Sequence, residues 1–179
     1  VRKICDEHDS ILILDEIVTG FRFHLQGAQK FFDIKGDFVC FGKGIGNGLP
    51  ISAITGPTEF MNIFNELWVS STNNREMLSI AGTIATINEM KSKKTIDHCW
   101  KLGEILLNGW NKICIKYNVN AKLSGYPVRM MMKCFDTNNI ESKSMKSLIL
   151  QEMIKKGYFI SPGPIFLSYS HTKEDIDNT

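Results

Sequence analysis

A run of alternating glycines, Gly42-Lys43-Gly44-Ile45-Gly46-Asn47-Gly48, follows the apolar tetrapeptide Phe38-Val39-Cys40-Phe41. Glycine at every second position weakens both helix and strand, so the chain must leave a buried strand here and turn. The single lysine of the run then stands at the carboxyl end of that strand. Backbone without Cβ atoms lets a ligand approach closely, and a lysine just past a buried strand is expected to be desolvated, which frees an amine as a nucleophile. Two phosphate-binding patterns fail. A P-loop needs Ser or Thr after its lysine, but Gly44 follows Lys43; both GxGxxG registers fail, with Asn47 or Leu49 in the sixth place. A flexible glycine turn carrying an incidental surface lysine explains the segment equally well when it is taken alone.

Two further apolar runs flank this one. Ile11-Leu12-Ile13-Leu14 ends in Asp15-Glu16, and Ile51-Ser52-Ala53-Ile54-Thr55 lies between Pro50 and Gly56-Pro57. Short runs that are apolar on both faces suit buried strands of a largely parallel α/β sheet. Ligands of such sheets sit beyond the carboxyl ends of the strands. Asp15 is therefore a candidate binding residue. Behind four aliphatic residues it is expected to be buried and to need a cation, which a protonated heterocyclic nitrogen would supply. It could also cap a loop or pair with Arg22.

The period then changes. Met77, Ile80, Ala81, Ile84, Ile87 and Met90 predict an amphipathic helix over 76–91, and Ile96, Trp100, Gly103, Leu106, Trp110 and Ile113 predict one face of a longer helix over 95–117. Residues 121–124 and 128–135 read as strands around Gly125-Tyr126-Pro127, and 142–156 as a helix stopped by Gly157. Residues 158–160 and 165–168 read as strands across Pro162-Gly163-Pro164. This divides the chain into 1–95 with the α/β pattern, a connecting helix over 96–118, and a small α+β domain over 119–179 whose last helix has only begun. Thr172 and Asp175 form a capping box there. The first residue is Val1, and the opening reads as the last turns of a helix, so the chain is expected to be cut within structure at both ends.

Charge and cysteine usage exclude several function classes. With 21 Lys+Arg against 19 Asp+Glu and no basic stripe, neither nucleic acid nor an anionic membrane is an expected partner. The five cysteines are odd in number, widely spaced and free of any CxxC pair, which argues against a disulfide framework and a zinc site. They read as the reduced thiols of a cytoplasmic protein.

The strand-end Asp15 and the strand-end Lys43 in its glycine run together resemble the class III pyridoxal-phosphate aminotransferases, in particular the glutamate-1-semialdehyde aminomutase branch. The resemblance rests on 12–22, Gly27-Ala28-Gln29, 41–53, Ser70-Ser71-Thr72 followed by 76–81, and 168–177. It implies an α/β fold of the aspartate-aminotransferase type (PLP fold type I), with part of the large domain and a small C-terminal domain. It implies pyridoxal 5'-phosphate as cofactor, a small amine or carbonyl compound as substrate, and a homodimer. Carried over to this sequence, Lys43 would form the Schiff base with the cofactor and act as acid and base. Asp15 would pair with the ring nitrogen, Ile17 or Val18 would pack on the ring, and Thr72 would bond the phosphate of the neighbouring subunit's site.

Gln29 falls in a matched segment without an assigned role, and Arg129 is a candidate for a substrate carboxylate or for structural pairing. Val18 stands where many aminotransferases of the class have glutamine, and Ser70–Glu76 lacks the Gly-Asn-Pro that usually follows the threonine. Both departures lean toward the aminomutase branch. Amine exchange between two substrates, intramolecular amine transfer in glutamate-1-semialdehyde for tetrapyrrole biosynthesis, and an inactive fragment or dimerisation module are the readings carried forward. The family's N-terminal half, with its glycine-serine phosphate loop and ring-stacking aromatic, has no counterpart in this sequence. The piece alone is therefore expected to be inactive.

Overall fold

The computed structural model describes residues 1–179, which divide into two units, Val1–Ile96 and Asp97–Thr179. The first begins with α1 (Arg2–Glu7), β1 (Ile13–Asp15), α2 (Ala28–Phe31), β2 (Phe38–Phe41) and β3 (Ala53–Thr55), followed by α3 (Thr58–Met61) and α4 (Met77–Ser92). Its sheet has the order β1-β2-β3. β1 and β2 are parallel, with Ile13 opposite Phe38 and Asp15 opposite Cys40, so both strands end on one edge. β3 runs antiparallel to β2, contrary to the parallel strand expected for 51–55. The link from β2 to β3 contains no crossover helix, only a short 3-10 turn (Lys43–Ile45), and a right-handed parallel return needs such a crossover.

Asp37 fastens the start of this sheet. Its Oδ2 accepts from the Leu12 amide and from Arg2 Nη1, both at 2.7 Å, while its own amide donates to Leu12 O at 2.8 Å. Those bonds hold the Asp37 carboxyl below its ordinary range, the Leu12 amide first and Arg2 second. Phe23, Phe31 and Phe32 form a cluster, with edge contacts of 5.5 Å (Phe23–Phe31) and 5.0 Å (Phe31–Phe32).

The strands are less buried than their composition suggests. Ile13 is 60% exposed, and Ile11 and Ile54 are exposed as well. Helix α4 has the expected extent, but the stripe meant to face a core does not: Met77 is 72% exposed, Ile80 and Ile84 are exposed, and Ser79 is its one buried residue. Periodicity identifies residues that share a face, but it does not supply a surface to cover them.

The second unit contains α5 (Thr95–Lys116), β4 (Ala121–Tyr126), β5 (Arg129–Cys134), α6 (Lys143–Lys155), β6 (Pro164–Ile165) and α7 (Lys173–Asn178). The sheet order is β4-β5-β6, antiparallel throughout. The long helix read as a connector is part of this unit except for its first two residues, because Leu102, Leu106 and Cys114 lie in the core with Leu123, Met130, Met132 and Cys134. The buried line on α5 is thus Cys99, Leu102, Gly103, Leu106 and Cys114; Ile113 faces solvent, while Trp110 packs against the core. Asn111 locks the helix to β4, donating to Leu123 O at 3.0 Å and accepting from Leu123 N at 2.9 Å. Residues 158–160 form no strand, and the strand expected over 165–168 shrinks to Pro164–Ile165. Ser142 caps α6, and Thr172 and Asp175 form the expected capping box on α7. No helix is long and apolar enough to cross a membrane.

Candidate functional site

The parallel pair β1/β2 sets the candidate site. Asp15 closes β1 opposite Cys40, and its Oδ1 accepts from the Ile17 amide at 3.0 Å, a turn of the kind Asp favours just past a strand. On β2 the chain passes Phe41 and Gly42 and enters the 3-10 turn at Lys43. Lys43 has φ of 44°, a left-handed conformation that disfavours a side chain and so depends on its surroundings. Buried Ile45 and the bonds Ile45 N→Gly42 O (3.2 Å) and Gly46 N→Lys43 O (3.1 Å) hold it. Gly46 has no room for a side chain, because a Cβ would lie 2.5 Å from Leu49 O.

Segment 16–21 folds over the start of this loop. Ile17 lies against Gly42, where an added Cβ would meet Ile17 Cγ2 at 3.3 Å. Phe21 stands edge-on to Phe41 at 5.5 Å. Asp15, Ile17, Val18 and Lys43 therefore converge on one end of the sheet. Thr72 sits exposed in the turn before α4.

Two expectations about environment fail. Asp15 and Lys43 are both exposed, neither buried nor desolvated: segment 16–21 packs on Phe41 and Gly42 but leaves these two side chains open. The buried acid is the neighbouring Glu16, which is 3% exposed. It accepts from Thr19 Oγ1, from the Ala28 amide (2.9 Å) and from the Gln29 amide (2.6 Å). Sequence reading passed over Glu16 in favour of Asp15. The available signal was the period of two along a strand, which turns adjacent residues to opposite faces. A second carboxylate with a structural role is Glu76, at the start of α4. It caps α4 through the amides of Leu78 (2.7 Å) and Ser79 (2.6 Å). The nearby Ser79 hydroxyl, which makes no hydrogen bond of regular geometry, and then the Ser79 and Leu78 amides hold its carboxyl below the ordinary range.

The donor set suits a cofactor that carries both an aldehyde and a protonated ring nitrogen. Lys43 supplies a primary amine, Asp15 a carboxylate on the adjacent strand end, and Ile17 an apolar surface between them in the chain's path. The glycine run keeps the approach clear of side chains.

The family model for aminotransferase class III matches residues 1–167. Glutamate-1-semialdehyde 2,1-aminomutase 2 of Staphylococcus saprophyticus is 32% identical over the whole of this chain, which covers 45% of that protein. The glutamate-1-semialdehyde 2,1-aminomutase of Acetivibrio thermocellus is 33% identical, again over all of this chain and 44% of its own length. Among solved structures, the internal aldimine form of the FumI protein of Sphingopyxis sp. MTA144 superposes with a TM-score of 0.86 at 23% identity. That match covers 98% of this chain and 42% of the other. The chain thus spans less than half the length of the relatives it matches.

Proposed function

Because the chain belongs to the class III aminotransferase family, we propose that it carries the lysine-bearing part of an enzyme that moves an amino group with pyridoxal 5'-phosphate. The observation that carries this reading is the placement of Asp15 and Lys43 at the carboxyl ends of adjacent parallel strands. When bound, the cofactor supplies an aldehyde that condenses with amines and a ring that accepts the electron pair left on the substrate carbon. This chain's residues do the rest. Lys43 Nζ would bind the cofactor's aldehyde carbon, and as a free amine it would serve as the acid and base that moves a proton at the substrate carbon. Asp15 keeps the ring nitrogen protonated, and Ile17 and Val18 flank the ring. Thr72, exposed in the turn before α4, would serve the phosphate of a second copy in a homodimer.

The substrate is an amino acid or a related amino/keto compound. Intramolecular transfer, as in the aminomutases named above, is the favoured form of the reaction, supported by the apolar Val18 and by the names of the curated relatives. Two experiments on the full-length protein test these statements. Borohydride reduction with cofactor followed by peptide mass mapping should place the tag on Lys43; a tag elsewhere refutes the assignment. Turnover of glutamate-1-semialdehyde without any keto-acid acceptor should proceed; an absolute need for acceptor restores exchange between two substrates.

A further inference from the structure

Glu16 is the one buried carboxylate of the chain, 3% exposed. Burial of such a group is costly unless hydrogen bonds satisfy it. Here they do, and from separate pieces of backbone. Oε2 accepts from Thr19 Oγ1 and Ala28 N, and Oε1 accepts from Gln29 N. The main chain of the same residue donates to Cys40 O on β2 at 2.9 Å and accepts from Gly20 N at 2.8 Å. Gly27 sits directly over the carboxylate: its φ is 85°, and a Cβ there would lie 2.6 Å from Oε1. One residue thus joins the end of β1, the β2 strand leading to Lys43, the Thr19–Gly20 turn and the first turn of α2.

We infer that Glu16 is the positioning residue of the site, holding segment 16–29 so that Asp15 and Ile17 keep their places beside Lys43. The inference rests on the reading that Asp15 and Lys43 bind one cofactor. Its chemistry is specific to a carboxylate. Each oxygen faces a backbone N–H, so glutamine must set its NH2 against one of them and leave a buried donor unpaired. Aspartate, one methylene shorter, cannot reach Ala28 and Gln29 while it keeps Thr19. The side chain touches neither strand-end functional group, so its effect reaches them through the loop.

The test uses the full-length protein and Glu16→Gln, with Glu89→Gln as a control that removes an exposed carboxylate. Three quantities are read well below the melting temperature. Amide exchange at Ala28 and Gln29 in the cofactor-free protein should accelerate at least tenfold. The Kd for pyridoxal phosphate should rise about tenfold, and kcat should fall at least tenfold with KM within about threefold. Faster exchange with wild-type Kd and kcat would overturn the inference, leaving Glu16 a structural clamp only. If Glu16→Gln fails to fold, Thr19→Val decides, since it keeps the carboxylate and removes one donor. A twofold to fivefold rise in Kd supports the inference, and an unchanged Kd overturns it. Failure of the underlying reading shows separately, as wild-type cofactor binding in Lys43→Ala.

Discussion

In the second unit Val128, Met130 and Cys134 are wholly buried, while in the first Ile13, Ile54, Met77 and Ile84 are each at least half exposed. Both units are built from a three-stranded sheet with helices, so the difference lies in closure rather than in ingredients. In the second, α5 lies on the hairpin β4/β5 and fills the space with Leu102, Leu106, Met130 and Met132. In the first, the sheet presents Asp15 and Lys43 at its edge and leaves the apolar side of α4 uncovered. Apolar surface of that extent marks an area of contact rather than a finished exterior. A self-sufficient core and an open sheet end that displays Asp15 and Lys43 are different tasks, and this chain assigns them to different units.

The largest expected effect separates the two cores. Met130→Ala should cost about 2–5 kcal/mol and Ile84→Ala no more than about 0.5 kcal/mol. Urea unfolding read by the fluorescence of Trp100 and Trp110, both in the second unit, checks the first figure, and circular dichroism checks the second. Equal costs would mean that α4 is covered after all.

Three helix glycines sharpen the contrast. Gly103 packs against the Pro127 carbonyl, where a Cβ would lie 2.1 Å from its oxygen, whereas in α4 the Cβ of a Gly82 variant would meet only the movable end of Leu49, and at Gly109 nothing. Gly103→Ala should therefore destabilise by about 1–3 kcal/mol. Gly109→Ala should stabilise by roughly 0.5–1 kcal/mol through helix propensity, with Gly82→Ala between them. Thermal melts that fail to separate these signs would break the packing account of α5.

Caps come next. Ser142→Ala in the second unit and Glu76→Ala in the first should each lower stability by about 1 kcal/mol. Near-equal losses would show that local helix ends are indifferent to how well a unit is closed.

The smallest effect is electrostatic. Asp37 in the first unit and Asp175 in the second both titrate below the ordinary 3.8, Asp37 through the Leu12 amide and Arg2, Asp175 through the Thr172 amide and hydroxyl. A depressed carboxyl stabilises the fold fully above its unfolded value and loses that contribution as pH falls through the folded one. Stability should therefore drop as acid is added below about pH 4. Asp37→Asn and Asp175→Asn should each flatten that decline, and a pH series of melting temperatures reads both.

What could be read from the sequence divides in a similar way. The α/β class, the extent of α4 to α6, the capping box at Thr172 and the two strand ends at Asp15 and Lys43 are local patterns, and local patterns leave marks at fixed spacing. The antiparallel return of β3 left none, because 51–55 reads the same in either direction. Burial failed wherever it depends on a distant element. Ile113 was placed on the buried face because its spacing fits, yet the hairpin covers the Leu102–Leu106–Cys114 line instead. Asp15 was expected inside and Glu16 was not singled out, since the sequence shows two adjacent acids but not which of them meets the amides of Ala28 and Gln29.

The cysteines offer a further use of the molecule. All five are free thiols, with Cys99, Cys114 and Cys134 buried in the second unit and Cys5 and Cys40 half-buried in the first. Burial pushes the Cys114 and Cys134 thiols up, so little thiolate is present at neutral pH even before access is considered. Alkylation of Cys134 can then proceed only through opening of the surrounding core, while Cys40 reports on the strand that leads to Lys43. The protein thus carries a separate chemical clock for each of its units, and mass spectrometry can read both in a single tube.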